Sequence, residues 1–215
     1  MSQIHDKHVP KIRKMYEKGN SVREMSEQLG VSLNAAFYFV RKHKIARRTP
    51  SENNTLVFGK KMSSFKVKRK LNAKERRLRD IGVILYWGEG YKAAKAMGID
   101  FANSDMDMVR VFLKFLREIC GIDERKIRIL LYCYSNQEPR SLVDYWSKLL
   151  SVPKTQFSKP YVRTDYRIDK KGKMPYGLVH IRYHDKKLLN LVRQWIENLK
   201  AELSWDTQVV NEGRL

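Results

Sequence analysis

The chain has 215 residues and a mass of 25.5 kDa, and its 44 basic residues against 23 acidic ones give a formal net charge of +21. Apolar residues make up 42% of the chain and aromatic residues 11%, which excludes a disordered tail, a collagen and a disulfide scaffold. A pI near 10.0 on a foldable chain excludes an ordinary acidic metabolic enzyme and favours a polyanionic partner.

The N-terminal segment carries the pattern of three short helices. An apolar stripe over residues 12–16 predicts the first helix. Ser21 and Glu24 form a capping box that begins the second helix, and Gly30 ends it in a left-handed turn. Ser32 caps the third helix, which extends to the basic residues that follow.

This segment resembles a helix-turn-helix of the resolvase and invertase type. The resemblance implies a DNA-binding domain over residues 1–46, with its third helix in the major groove of the duplex. A plain three-helix structural unit is the alternative. On the first interpretation the base-reading side chains are Ser32, Asn34, Ala35 and Tyr38, and the phosphate contacts are Arg41 and Lys42.

Residues 47–77 are rich in lysine and arginine, and Pro50 and Ser51 are typical of a loop. We expect a flexible basic linker that tethers the first domain, with Arg47 and Arg48 on phosphate groups. A merely solvated linker and a nuclear-import signal are alternatives that the sequence leaves open.

From residue 78 onward the pattern alternates between helix and strand, which predicts an α+β domain over residues 78–215. We expect helices on one face of the sheet, and an opposite face free to lie on a duplex. Helices are predicted at residues 78–89, 105–120, 142–150 and 186–203, and strands at residues 92–102 (two short ones), 127–134, 157–163 and 177–183.

The stretch Gly82-Val83-Ile84-Leu85-Tyr86-Trp87-Gly88-Glu89-Gly90 resembles the signature helix of the LAGLIDADG homing endonucleases. Ile99-Asp100-Phe101-Ala102-Asn103-Ser104-Asp105 resembles the strand and helix start that follow it in the family, and the element order over residues 78–203 is similar. The resemblance implies a mixed sheet with helices on one face. The two domains together also resemble sporulation regulators that pair them without cutting DNA.

In that family two signature helices pack side by side, and an acidic residue at the foot of each binds a divalent metal beside the scissile phosphate. Glu89 matches this position, so the resemblance implies that it is a Mg²⁺ ligand and catalytic residue of a site-specific DNA endonuclease. Gly82 and Tyr86 recur at near-helical spacing with Glu89 and are expected at the helix seam. Because the chain has one motif, a complete site requires a homodimer on double-stranded DNA.

Two departures from the family leave cleavage open. Ile84 and Trp87 are large where the family has small residues, and Glu89 replaces the commoner aspartate. Glu89 is then a nuclease ligand, a relic of one in a transcription regulator that only binds DNA, or a solvated residue between two glycines. An RNA-binding protein is a third class, which the helix-turn-helix argues against.

Further basic side chains follow the signature helix and form a second cluster nearer the C-terminus. Lys92 and Lys95 lie on the first predicted strand, where the resemblance implies contact with the major groove. Phe157 and Tyr161 alternate with basic residues and are expected in the core. The predicted phosphate contacts of the second cluster are Lys159, Arg163, Arg167, Lys170, Lys171, Lys173 and Arg182.

Other chemistries and compartments find little support. Cys120 and Cys133 lie apart in apolar stretches, which favours buried thiols over a disulfide or metal pair. Asp105 and Asp107 are explained by helix capping, and no phosphate-cradling glycine loop is present.

The sequence has no apolar run long enough for a membrane span, so we expect no membrane partner. A location in the cytoplasm with the nucleoid, or in the nucleus of a eukaryote, is expected.

Overall fold

The computed structural model describes residues 9–164, 166, 172 and 174–203. The chain divides into two compact units between Met62 and Ser63. Within the described residues there are eight α-helices and one four-stranded mixed sheet, which confirms the predicted α+β class. Their bounds are α1 Val9–Glu17, α2 Val22–Leu29, α3 Leu33–Lys42, α4 Pro50–Lys60, α5 Ala73–Glu89, β1 Ile99–Asn103, α6 Met106–Glu118, β2 Ile127–Tyr134, α7 Pro139–Leu150, β3 Tyr161–Arg163, β4 Leu178–Tyr183 and α8 Lys186–Leu203.

The three helices predicted in the first unit are present, and the local signals that predict them are formed. The Ser21 hydroxyl accepts the Glu24 N–H at 3.1 Å, and the Glu24 carboxylate accepts the Ser21 N–H at 2.6 Å, which closes the capping box. Gly30 takes a φ of 64° and ends α2 in the left-handed conformation. The core of this unit consists of Ile12, Met25, Phe39, Val40 and Ile45.

The first part of residues 47–77 is helical, whereas the sequence predicts a flexible linker there. Thr49 caps α4, and its side chain accepts the Glu52 N–H while the Glu52 carboxylate accepts the Thr49 N–H. Pro50 occupies the first turn, where its fixed φ suits a helix and its missing N–H costs nothing. The same proline that is typical of a loop therefore begins a helix here.

The second part of that stretch is anchored to the second unit. The Lys66 N–H donates to the Gly121 carbonyl at 2.9 Å, and the Lys68 N–H donates to the Ile119 carbonyl at 2.9 Å. The boundary of the second unit therefore lies at Ser63, not at residue 78 as the sequence predicts.

The second unit is built on a sheet with strand order β1-β4-β2-β3. β4 pairs antiparallel with β1 and β2, and β2 pairs parallel with β3. Ile99 of β1 and Ile127 of β2 are both in register with Tyr183 of β4. The starts of β1 and β2 therefore lie beside the end of β4, and we call this end of the three strands the Tyr183 end of the sheet.

The two faces of this sheet differ in polarity. On one face Phe101, Ile129 and Ile181 are fully buried, and the Phe101 ring stacks on Phe112 of α6 with centroids 4.1 Å apart. α5, α6 and α8 pack on this side, as the sequence predicts for a sheet with helices on one face. We call the other side the open face. Its residues, of which Arg128 is exposed and the others are partly exposed, are Asp100, Ala102, Arg128, Leu130, Tyr132, Leu178, His180 and Arg182.

Several elements of the second unit differ in length from the prediction. α5 begins at Ala73, because Asn72 and Glu75 form a capping box ahead of the predicted start. The two strands predicted over residues 92–102 reduce to β1, and Gly90 pairs with Phe101 only through an isolated bridge. A strand needs continuous backbone pairing, and the segment before β1 instead forms turns.

Two aromatic residues that are expected in the core have different fates. Phe157 is partly buried and packs against the core, as predicted. Tyr161 lies on the short edge strand β3 and is 57% exposed, so the prediction that it lies in the core is wrong.

Cys120 and Cys133 are buried free thiols, as expected, and burial raises the pKa of both. Among the helices of the described ranges, none combines the length and apolarity that a bilayer crossing requires.

Candidate nucleic-acid interface

The outward face of α3 carries part of the predicted reading surface. Asn34, Tyr38 and Arg41 recur at helical spacing and are exposed, Tyr38 by 63%. Lys42 is also exposed, and Ala35 is half-buried. The Ser32 hydroxyl accepts the Ala35 N–H at 3.2 Å, so this side chain caps the helix.

Arg47 and Arg48 have different surroundings. Arg47 is exposed, with its guanidinium 5.9 Å from the Phe37 ring centroid. Arg48 lies 4.0 Å from the Tyr16 ring centroid and donates to the carbonyls of Tyr16 and Asn20. The Arg48 N–H also donates to the Tyr16 hydroxyl at 2.9 Å. Arg48 is therefore a structural residue of the first unit, and the prediction that it binds phosphate is not supported by these contacts.

A basic arm, which we define as residues 66–79, precedes and begins α5. Lys68 is paired with Glu75 at 2.6 Å, and Arg76 donates to the Leu71 carbonyl at 2.8 Å. The backbone of the arm is folded onto the second unit and into the start of α5, so its other cations have fixed attachment points on that unit. The exposed cations of the arm are Lys66, Lys68, Arg69, Lys70, Lys74, Arg76 and Arg77.

Three charged side chains cross the open face in register. Asp100 of β1 faces Arg182 of β4, and Arg182 faces Arg128 of β2. The Arg182 Nε donates to Asp100 Oδ2 at 2.9 Å, and His180 Nδ1 lies 2.7 Å from Asp100 Oδ1. Two like charges directly opposite each other on paired strands repel, so one carboxylate offsets only part of this cationic row.

The pKa of Asp100 reflects its two neighbours on β4, His180 and Arg182. Burial by itself would raise the pKa of this carboxyl group, but the hydrogen bond and charge of His180, together with Arg182, hold the pKa below its ordinary value. The ionised Asp100 carboxylate fixes the direction of the Arg182 side chain by accepting the hydrogen bond from its Nε.

A cleft of about 570 Å³ opens at the Tyr183 end of the open face. Its cationic lining combines Lys95 from the segment before β1 with Lys126, Arg128 and Arg182. Asp100 is the acidic residue among the described residues of the lining. The predicted DNA contacts Lys95 and Arg182 therefore come together here, beside two cations that the sequence analysis missed.

Aromatic rings lie on the open face between the cleft and the edge strand β3. The Tyr132 ring lies 4.9 Å from the His180 ring and 4.9 Å from the Tyr161 ring, measured between centroids. At the end of β3 the Arg163 guanidinium lies 5.7 Å from the Tyr134 centroid. Flat rings beside cations form a surface that suits bases and phosphates together.

The remaining predicted contacts are distributed more widely. The Lys92 ammonium donates to the Trp87 and Gly90 carbonyls at 2.7 and 2.8 Å, so it caps the C-terminal end of α5. Lys159 is exposed before β3. Four predicted contacts lie outside the described residues: Arg167, Lys170, Lys171 and Lys173.

The exposed side of α5 is not the side that the sequence predicts as a seam. Gly82 lies against the Phe115 ring, and Tyr86 is fully buried, which raises its pKa to about 12. The exposed apolar residues are Ile81, Ile84 and Trp87, at 39%, 50% and 39%. We call these three residues the α5 stripe. Helical spacing places Ile81, Ile84 and the exposed Gly88 in one row, away from the core.

Glu89 is the last residue of α5 and is exposed. Within the described part of the chain it makes no hydrogen bond or ion pair, and no group of three or more metal-ligating side chains occurs there. One copy of the described structure therefore offers a single free carboxylate at this position, not a complete metal centre.

Comparison with known protein families, with curated proteins and with solved structures found no match to the chain. One of the two missed cations, Arg128, was within reach of sequence reasoning. Ile127, Ile129 and Leu131 alternate along β2 and are buried, so Arg128 must point to the opposite face. The pairing of Asp100 with His180 joins residues far apart in sequence, and no local pattern indicates it.

Proposed function

We propose that this chain binds double-stranded DNA. The observation that carries the proposal is the pair of in-register arginines on an open sheet face, Arg128 and Arg182, which line a cleft together with Lys95 and Lys126. The Asp100 carboxylate offsets only part of the repulsion between these two arginines, and a polyphosphate backbone supplies further anions at regular spacing. A DNA partner implies a protein of the cytoplasm, associated with the nucleoid, or of the nucleus.

The first unit supports the same partner from an independent surface. Asn34, Tyr38 and Arg41 on α3 combine an amide, a ring and a cation on one exposed helix face. Asparagine binds adenine through two hydrogen bonds in the major groove, whereas arginine contacts guanine or phosphate. In this proposal α3 reads bases, and the basic arm and the open face add phosphate contacts that carry no sequence information.

The proposed DNA-binding form is a homodimer. The α5 stripe is an apolar strip on a strongly basic molecule, and a two-fold pairing of α5 with itself would cover it in both copies. If the two-fold axis runs along the helices, so that the two copies of α5 lie parallel, this pairing also brings the two Glu89 carboxylates to the same end of the helix pair.

We propose further that this homodimer is a Mg²⁺-dependent, LAGLIDADG-like, site-specific endonuclease. Two Glu89 carboxylates beside a phosphate provide the oxygen ligands that Mg²⁺ prefers, and the metal would activate water and stabilise the leaving oxygen. The second candidate is a transcription regulator that binds DNA without cutting it. The isolation of Glu89 from other acidic side chains of the described residues favours this candidate.

Duplex binding is tested by fluorescence anisotropy across a salt series, with structured RNA as competitor. We expect the logarithm of affinity to fall linearly with the logarithm of salt concentration, by about 0.9 for each phosphate contact. Duplex DNA should compete better than RNA. A chain that shows no binding to duplex DNA at the lowest salt, or that prefers RNA, contradicts the proposal.

Cleavage is tested with a randomised duplex library in Mg²⁺, using the wild type, Glu89→Gln and Glu118→Gln. Glu118 is an exposed glutamate on α6 with Lys114 beside it, so it is a matched control for charge. Cutting by the wild type and Glu118→Gln, with binding but no cutting by Glu89→Gln, supports the endonuclease. Binding without cutting by all three proteins supports the regulator.

A further inference from the structure

We propose that the cleft at the Tyr183 end of the open face binds one nucleotide, with its phosphate between Arg128 and Arg182 and its base against Tyr91. The inference deepens the proposed function and rests on it, since the nucleotide is one displaced from the bound duplex. A free mononucleotide has the same chemistry and is the other source that the test distinguishes.

The phosphate position follows from how the two guanidinium groups are held. Asp100 accepts from the Arg182 Nε, and the carbonyls of Arg125 and Ile127 accept from Arg128 Nη1, both at 2.7 Å. These contacts direct both groups while leaving the remaining donors of Arg128 and Arg182 unused within the described residues. A phosphate accepts well from paired arginine donors because its oxygens match the planar fork of each group.

The base position follows from the apolar part of the lining. Tyr91 and Met97 line the cleft and are 50% and 54% exposed. A phosphate alone gains nothing from such residues, whereas a base stacks on an aromatic ring. The volume of about 570 Å³ falls in the range of roughly 300–1,000 Å³ that is usual for small-molecule sites.

The backbone of Tyr91 is held in place before any ligand arrives. Its N–H donates to the Asp100 carbonyl at 2.8 Å, and its own carbonyl accepts from the Tyr86 hydroxyl at 2.9 Å. Close approach at Gly98, where an added Cβ would lie 2.4 Å from the Tyr183 carbonyl oxygen, fixes the other end of the same segment. The backbone at Tyr91 and the two guanidinium groups are therefore preorganised, which lowers the entropic cost of binding.

The test uses the full chain and three probes: a fully paired duplex, the same duplex with one unpaired 2-aminopurine nucleotide, and free adenosine monophosphate. The variants are Tyr91→Ala and Arg128→Gln. Matched controls are Tyr161→Ala, an exposed tyrosine on the opposite edge strand, and Arg140→Gln, an exposed arginine on α7. Retained thermal unfolding of each variant shows that the change is local.

We expect the wild type and both controls to bind the unpaired duplex about tenfold more tightly than the paired one, with quenched 2-aminopurine fluorescence. Tyr91→Ala and Arg128→Gln should both lose this preference. Tyr91→Ala should keep its binding of the paired duplex, whereas Arg128→Gln should weaken it, because Arg128 is also a proposed phosphate contact. Binding of adenosine monophosphate that these variants lose, without a preference for the unpaired duplex, assigns the site to a free nucleotide.

Equal wild-type affinity for both duplexes, without binding of adenosine monophosphate, overturns the inference and leaves the proposed duplex binding intact. Equal loss in the controls and the cleft variants also overturns it. If no duplex binds at all, the proposed function fails, and the adenosine monophosphate arm alone decides whether the cleft is a nucleotide site.

Discussion

At the scale of single residues, the adjacent Arg47 and Arg48 have different roles because their guanidinium groups have different contacts. Arg48 lies over Tyr16 and donates to backbone carbonyls at the end of α1, whereas the adjacent Arg47 is exposed. Composition treats the two as equal positive charges. The difference depends on contacts with residues some thirty positions earlier, which no local pattern in the sequence indicates.

The pair Arg48→Ala and Arg47→Ala separates stability from DNA binding. Arg48→Ala loses its hydrogen bonds and ring contact, and we expect the free energy of unfolding to fall by about 1–3 kcal/mol. Arg47→Ala should change it by no more than about 0.5 kcal/mol and should weaken duplex binding. Urea denaturation and anisotropy measure the two quantities. Equal stability of the two variants would contradict the structural role of Arg48.

Asp100 connects the charge of the open face to acid stability. Its pKa is depressed in the folded chain, so the unfolded chain takes up this proton at a higher pH than the folded chain does. The stabilisation is complete above the ordinary aspartate pKa of about 4 and is lost as pH falls through the lower folded value. Asp100→Asn should therefore show a shallower acid decline in the free energy of unfolding, measured by urea denaturation at several pH values. Parallel declines would rule out this linkage.

At the scale of elements, the starts of helices are the most predictable feature, because one local pattern marks three of them. The capping box Ser21–Glu24 predicts α2, and the same pattern at Thr49–Glu52 and Asn72–Glu75 begins α4 and α5. Strands were harder, because a strand exists only through partners elsewhere in the chain. The cleft depends on three strands in register and was beyond local reasoning, although alternation along β2 indicates its Arg128.

The packing of α5 is tested by two glycine substitutions on opposite sides of the helix. At Gly82 an added Cβ would lie 2.1 Å from the Phe115 ring, so Gly82→Ala should lower the free energy of unfolding by about 1–3 kcal/mol. At Gly88 nothing lies within 4 Å, so Gly88→Ala should raise it by roughly 0.5–1 kcal/mol through helix propensity. Thermal or urea unfolding measures both. Opposite signs to these would mean that α5 presents its other face to the core.

At the scale of the whole molecule, net charge and apolar surface act against each other. A formal charge of +21 makes two free copies repel, whereas the α5 stripe favours their pairing. DNA neutralises the charge and leaves the apolar attraction, so the duplex should strengthen association between copies. Salt, which screens repulsion between copies and weakens phosphate contacts, should favour the free dimer while it weakens DNA binding.

Ile84→Glu tests this dimer because it places a charge in the middle of the α5 stripe. Two buried, unpaired carboxylates facing each other across a two-fold interface are costly, so we expect the variant to remain monomeric with or without duplex. Val57→Glu is the control, since Val57 is a similarly exposed apolar residue on α4 and lies outside the stripe. Sedimentation at several protein concentrations measures the mass of each, and unchanged thermal unfolding shows that the exposed site tolerates the change. If Ile84→Glu associates like the wild type, α5 is not the pairing surface, and the two Glu89 carboxylates lose the arrangement by which they would share a metal.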